Sequence, residues 1–275
     1  MLNLLSYPPV LRGLFVLLTA SATFPIAGAW VIRLNLLPYR FMLMHGALLG
    51  GALGLALNLP PLLSVIVVNL LLVLLADLLT NQGHMDGGMA TMALMIASLG
   101  GASALASGAG VSAQETTNLL WGDLFAVSPT EATMALIFCL GLVLYSQKAD
   151  LQISALIFDQ DVAYTSGVNS QRIHRTLLLI TALTVAFAMR VAGALLLDAL
   201  MLVPALAASV SAHSMKSLYR KSSLIGLIIG VSGFILALAT NLPVGASTAL
   251  TGAVVLGISI IMARIPRARS HHEEL

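Results

Sequence analysis

The sequence predicts an all-α, polytopic transmembrane helical bundle of about eight to nine spans, and three observations predict it. Only 9% of the 275 residues are charged while 59% are hydrophobic, too few polar groups to cover a water-soluble domain of this size. Apolar runs of about 18 to 23 residues recur along the whole length, and about 20 helical residues cross a hydrocarbon core of about 30 Å. Short links such as Asn58-Leu59-Pro60-Pro61 and Asn241-Leu242-Pro243 separate them, with proline ending one helix and opening the next. Soluble folds and single-span anchors are excluded.

Nine apolar segments follow in order: 10–32, 39–58, 60–80, 87–107, 129–146, 173–191, 193–212, 222–240 and 244–263. The short links make neighbouring segments helical hairpins. The second segment (Gly46 to Leu55) and the fourth (Gly87 to Ser107) are dense in small residues, which lets helix backbones approach closely. Two stretches are not spans. Residues 108–128 carry Gln114, Glu115, Asn118 and Asp123, and read as an outer interfacial segment anchored by Trp121. Residues 147–172 form the longest polar stretch; its centre, Ile153 to Val168, reads as a short helix with one apolar face for a soluble partner.

Basic residues orient the bundle, because Lys and Arg near span ends mark the cytoplasmic side. With the N-terminus outside, only Arg12 and Arg190 of the 13 Lys and Arg residues fall outside, which places the C-terminal tail in the cytoplasm. No basic stretch with a short apolar core and a small-residue cleavage site opens the chain, so its start reads as mature sequence. The net charge of +2 is small and by itself indicates no nucleic-acid partner. The single cysteine, Cys139, lies inside an apolar run and can build neither a disulfide framework nor a cysteine metal site.

Three phrases carry a family resemblance. Trp121-Gly122-Asp123-Leu124-Phe125-Ala126-Val127-Ser128 precedes the fifth segment, Arg190-Val191-Ala192-Gly193-Ala194-Leu195-Leu196 leads to Leu202-Val203-Pro204-Ala205, and Asn241-Leu242-Pro243-Val244-Gly245 opens the last. In order and spacing these, with Phe158-Asp159 and Gly167-Val168 between them, resemble the zinc- and manganese-type ABC transporter permease family over most of the chain. The resemblance implies that residues 1–275 are one transmembrane permease domain in a bacterial inner membrane. It implies an import pathway between two copies of the chain, a cytoplasmic ABC ATPase, an extracytoplasmic metal-binding protein, and zinc or manganese as transported ion with no permanently bound cofactor. Phe158, Asp159, Asp161 and Gly167 are the expected ATPase coupling residues. No Gly-x-x-x-x-Gly-Lys-Ser/Thr loop occurs, so ATP hydrolysis is expected in a partner and no residue is expected to be catalytic.

A divalent ion in lipid needs oxygen or nitrogen ligands facing the bundle interior. Ionisable residues inside spans are few: His45, Asp77 and Asp198. The family resembled carries an aspartate four residues before the histidine that matches His45, but Phe41 stands at that position here. His45 and Asp198 are therefore expected to approach across the pathway and contact the ion; the simpler alternative is that Asp198 bonds a neighbouring helix and His45 only packs. His84 and Asp86 are candidates for a cytoplasmic metal contact, with an N-cap before Gly87 as the ordinary role of Asp86. Asp77 is expected to be hydrated or paired, Arg190 to fix a turn or meet the binding protein, and the tail His271-His272-Glu273-Glu274 to stay solvated.

Rival readings are a permease for another small solute or a metal chelate, a secondary transporter driven by an ion gradient, and an intramembrane enzyme. The second calls for inverted repeats, and none is clear between the halves. The third calls for a constellation such as His-Glu-x-x-His, which does not occur.

Overall fold

A computed structural model describes residues 7–81, 85–108, 124–159, 167 and 169–264. Its elements are α1 (Pro8–Arg33), α2 (Leu37–Leu57), α3 (Pro61–Asn81), α4 (Gly87–Gly108), a 3-10 turn (Leu124–Ala126), α5 (Pro129–Lys148), α6 (Asp150–Phe158), α7 (Ser170–Ser209), α8 (Met215–Thr240) and α9 (Val244–Arg264). Among the described residues eight helical stretches are long and apolar enough to span a membrane, and Leu196–Ser209 is a shorter apolar helix. The chain is a multi-pass membrane protein, and the eight to nine expected spans correspond to these helices.

Helix ends follow local chemistry. Prolines open α1, α2 and α5 in the first turn, where a missing N–H costs nothing. Asn58 and Asn241 end α2 and α8 in the left-handed region, at φ 53° and 57°, a conformation asparagine tolerates. Ser128 and Glu131 form a reciprocal capping box at the start of α5: Glu131 N donates to Ser128 Oγ at 3.1 Å, and Ser128 N donates to Glu131 Oε2 at 2.9 Å.

α1 and α7 form the centre. α7 packs against α1, α2, α3, α8 and α9, while α2, α3 and α4 form a flanking group and α5 lies on α1. The core between α1 and α7 includes Leu17, Phe24, Trp30, Leu177, Leu197 and Met201. Pro25 lies inside α1 and cannot donate to the Ser21 carbonyl one turn earlier. That carbonyl lies directly against Gly226 of α8, where a Cβ would collide with it. The broken hydrogen bond and the absent side chain thus occur at one helix crossing, which brings α1 and α8 into close contact.

Three expectations are adjusted. The sixth and seventh segments join in α7, which breaks at Gly193 with φ 72° and ψ 179°, between limbs Ser170–Arg190 and Leu196–Ser209. That backbone region is open essentially to glycine alone. Gly193→Ala should therefore lower stability by about 1–3 kcal/mol, read as a fall in the midpoint of thermal unfolding of the purified protein. α8 begins at Met215 rather than 222, because Lys216, Arg220 and Lys221 depress local hydropathy while remaining good helix formers. Of the expected coupling segment, a helix is described over Asp150–Phe158, starting three residues before Ile153; Asp159 then turns extended, at φ −164° and ψ 129°, and residues 160–166 and 168 lie outside the described residues.

Candidate functional site

The two basic residues that the sequence reading assigns to the outer side, Arg12 and Arg190, are both engaged. Arg12 Nη1 donates to the Val127 carbonyl at 2.9 Å, tying α1 to the segment before α5. Arg190 Nε donates to Glu131 Oε1 at 2.8 Å, which clamps the end of the first α7 limb onto the α5 capping box, three residues before the Gly193 break. The expected turn-fixing role of Arg190 is thus a concrete ion pair. Its partner was legible in the sequence as Ser128-Pro129-Thr130-Glu131, a capping-box spacing, and was not singled out. The interfacial segment around Trp121 lies outside the described residues, apart from Gly108 and Leu124 to Ser128.

The candidate ion contacts lie on α2, α4 and α7. His45 Nδ1 is 2.8 Å from the Phe41 carbonyl one turn earlier in α2. With the proton on Nδ1 in that contact, the lone pair of Nε2 is the one open to a metal. His45 and Asp86 line one groove of ≈ 720 Å³ between α2 and the start of α4, with Phe41, Met89, Met92 and Met95 on its walls. The structure therefore brings together two candidates that lie 41 positions apart in sequence. Asp86 also accepts from Gly88 N at 2.9 Å, the ordinary role expected of it at the start of α4. His84, the other candidate there, lies outside the described residues.

Asp198 bonds a neighbouring helix, the simpler of the two roles expected for it, and does not line the His45 groove. On the second limb of α7 it forms an ion pair with Arg40 of α2. The Arg40 side chain is 1% exposed and the Asp198 side chain 46% exposed, so the cation is sealed in the bundle and the carboxylate stays open on one side. Arg40 also lies over the Phe41 ring, with Cζ 4.8 Å from its centroid, a cation–π contact. Sequence reading counted Arg40 only as a cytoplasmic marker, although a carboxylate within a span demands a counter-charge, and that was the available signal. Among the described residues no group of three or more His, Cys, Asp and Glu side chains is placed to hold a metal.

Near the end of α3, Asp77 is paired as expected, with Arg175 Nη2 at 2.8 Å and Asn81 Nδ2 at 2.8 Å. Cys139 is buried, its Sγ 3.2 Å from Thr23 Oγ1 of α1, so it faces a helix rather than lipid. α6 turns Ile153 and Leu156 inward against the bundle, while Leu151 and Phe158 are each 82% exposed. Seven residues apart, these two lie on the same side of the helix. Within the described residues, Ile153 and Leu156 of the face foreseen for a partner are used inside the chain, while Phe158 faces outward together with Leu151; Val162 and Tyr164 lie outside the described residues. Of the other coupling candidates, Asp159 follows the helix in extended backbone, Gly167 adopts φ +77°, and Asp161 lies outside the described residues.

An all-helical bundle with paired charges at its ends, an imidazole groove at the first turns of α2 and α4 and an outward apolar helix fits a membrane-embedded subunit of transport type. The chain belongs to the ABC 3 transport family, whose model matches residues 6–263. It is 26% identical over 260 residues to the high-affinity zinc uptake system membrane protein ZnuB of Haemophilus influenzae, covering 92% of this chain and 96% of that protein. It is 25% identical over 258 residues to the manganese import system permease protein ScaB of Streptococcus parasanguinis, covering 93% and 92%. In fold it resembles a chain of PsaBC from Streptococcus pneumoniae in complex with Fab, with a TM-score of 0.83, 23% identity and coverage of 94% and 93%.

Proposed function

We propose that this chain is the permease subunit of an ABC importer for a divalent metal ion, zinc or manganese, in a bacterial inner membrane, with its C-terminal tail in the cytoplasm. The observation that carries the reading is end-to-end similarity to import-system membrane proteins named for those two metals. Two copies enclose the pathway, a cytoplasmic ATPase drives it, and a metal-binding protein outside delivers the ion. His45 offers Nε2 to the passing ion from the α2–α4 groove, and Asp86 supplies an oxygen near its inner mouth. Asp198 contributes its open side as a carboxylate already balanced by Arg40, so it attracts a cation without adding a full uncompensated charge. Leu151 and Phe158 of α6, followed by Asp159, Asp161 and Gly167, form the coupling surface for the ATPase.

The test is reconstitution. Vesicles holding the permease, its ATPase and the external binding protein should accumulate radioactive zinc or manganese only with ATP, and His45→Ala should lower that uptake about tenfold or more. ATP-independent uptake driven by an ion gradient would overturn the reading in favour of a secondary transporter.

A further inference from the structure

An open cavity of ≈ 870 Å³ lies between α1, α5, α6 and α8, away from the His45 groove. Its deep end is formed by Thr23 and Ile26 of α1, its mouth by Asp150, Lys216, Tyr219 and Arg220. Thr23 lies ten residues before the end of α1 at Arg33, about 15 Å along the helix, which is about half a bilayer's hydrocarbon thickness. On α8 the lining runs from Lys216 to Leu224, about 12 Å along the helix, so the cavity reaches into one leaflet, apolar toward Thr23 and charged at the helix ends near Asp150 and Lys216.

The charges at the mouth are of both signs and incompletely matched. Asp150 is 8% exposed; its Oδ1 has no hydrogen-bond partner and is closed to the cavity, which leaves Oδ2 as the oxygen a ligand can reach. Its Oδ2 meets Lys216 Nζ only at 3.7 Å, while Arg220 is exposed at the rim. The Tyr219 hydroxyl accepts from Trp30 Nε1 at 2.7 Å, which leaves its own proton to donate. A buried carboxylate oxygen without a donor is costly, and two cations beside it call for an anion.

We infer that this cavity is a binding site for a phospholipid of the ethanolamine class. The phosphate meets Lys216, Arg220 and the Tyr219 hydroxyl, the ammonium donates to Asp150 Oδ2, and one acyl chain runs toward Thr23. A choline headgroup, with no N–H, satisfies the cations but leaves Asp150 unpaired.

Native mass spectrometry of the permease–ATPase complex, released from nanodiscs with equal phosphatidylethanolamine and phosphatidylcholine, tests this. The expected result is preferential retention of phosphatidylethanolamine. Lys216→Met with Arg220→Met should cut its retention about tenfold, and Asp150→Asn should abolish the preference over phosphatidylcholine. Ser223→Phe, which fills the cavity wall and leaves every charge in place, should expel the lipid even if the charge variants fold poorly. Equal retention of the two lipids by the wild type, unchanged retention in Ser223→Phe, or displacement by soluble phosphoethanolamine would each overturn the assignment.

Discussion

Asp198→Asn is expected to destabilise the folded protein by about 3–5 kcal/mol, because it strands the Arg40 guanidinium in the bundle with no counter-charge. Arg40 is 1% exposed and cannot reach water without disturbing α2. The reverse change is milder on the proposed placement of Asp198 in the ion pathway: Arg40→Met leaves a carboxylate 46% exposed, and water in the pathway takes over part of its solvation, so a smaller loss is expected. The double variant Arg40→Met with Asp198→Leu should recover most of the loss, since removing both partners removes the desolvation cost. Unfolding midpoints of the four proteins in one detergent check the asymmetry. No loss in Asp198→Asn would show that the pair is solvated and holds nothing, and equal losses would show that water does not reach Asp198. Zinc or manganese uptake by the double variant also separates scaffolding from ion contact: restored stability with uptake still lost assigns Asp198 to the pathway.

Leu151→Asp combined with Phe158→Asp is expected to disconnect the permease from its ATPase. Both side chains are 82% exposed on α6, and desolvated apolar anchors of this kind each contribute about 2 kcal/mol or more to an interface. Loss of both should weaken capture of the ATPase by far more than the roughly thirtyfold that one anchor accounts for. ATP-driven uptake should fall in parallel, while the monomer fold is untouched because the buried Ile153 and Leu156 hold α6 to the bundle. Co-purification of the ATPase and uptake in vesicles are the two readouts. Normal capture by the doubly substituted protein would move the coupling surface to the residues after Asp159.

Much of the fold could be read from the residues because lipid leaves a chain few choices. Helix ends at Asn58 and Asn241, the proline-led starts and the break near Gly193 all follow from local chemistry. Charge placement was harder to read. Lys216 and Arg220 suggested a loop when they occupy the first turns of α8, and Arg40 suggested a surface marker when it is among the most buried side chains. His45, Asp86 and Asp198 could be listed as candidates from type and position. Which of them meet could not, since His45 shares a groove with Asp86 while Asp198 turns to Arg40.

The sequence by itself determined that this protein is a bundle of membrane-spanning helices, because apolar runs in hydrocarbon must satisfy every backbone N–H and C=O within their own segment. Only the tertiary structure decided the partners: Arg40 with Asp198, Arg190 with Glu131, Asp150 facing a cavity that reaches into one leaflet. The physical reason is that lipid is as apolar as the bundle core, so a helix such as α3 or α4 carries apolar residues all round. No periodic stripe then tells which face turns inward, and rotation about each helix axis is set by close packing alone.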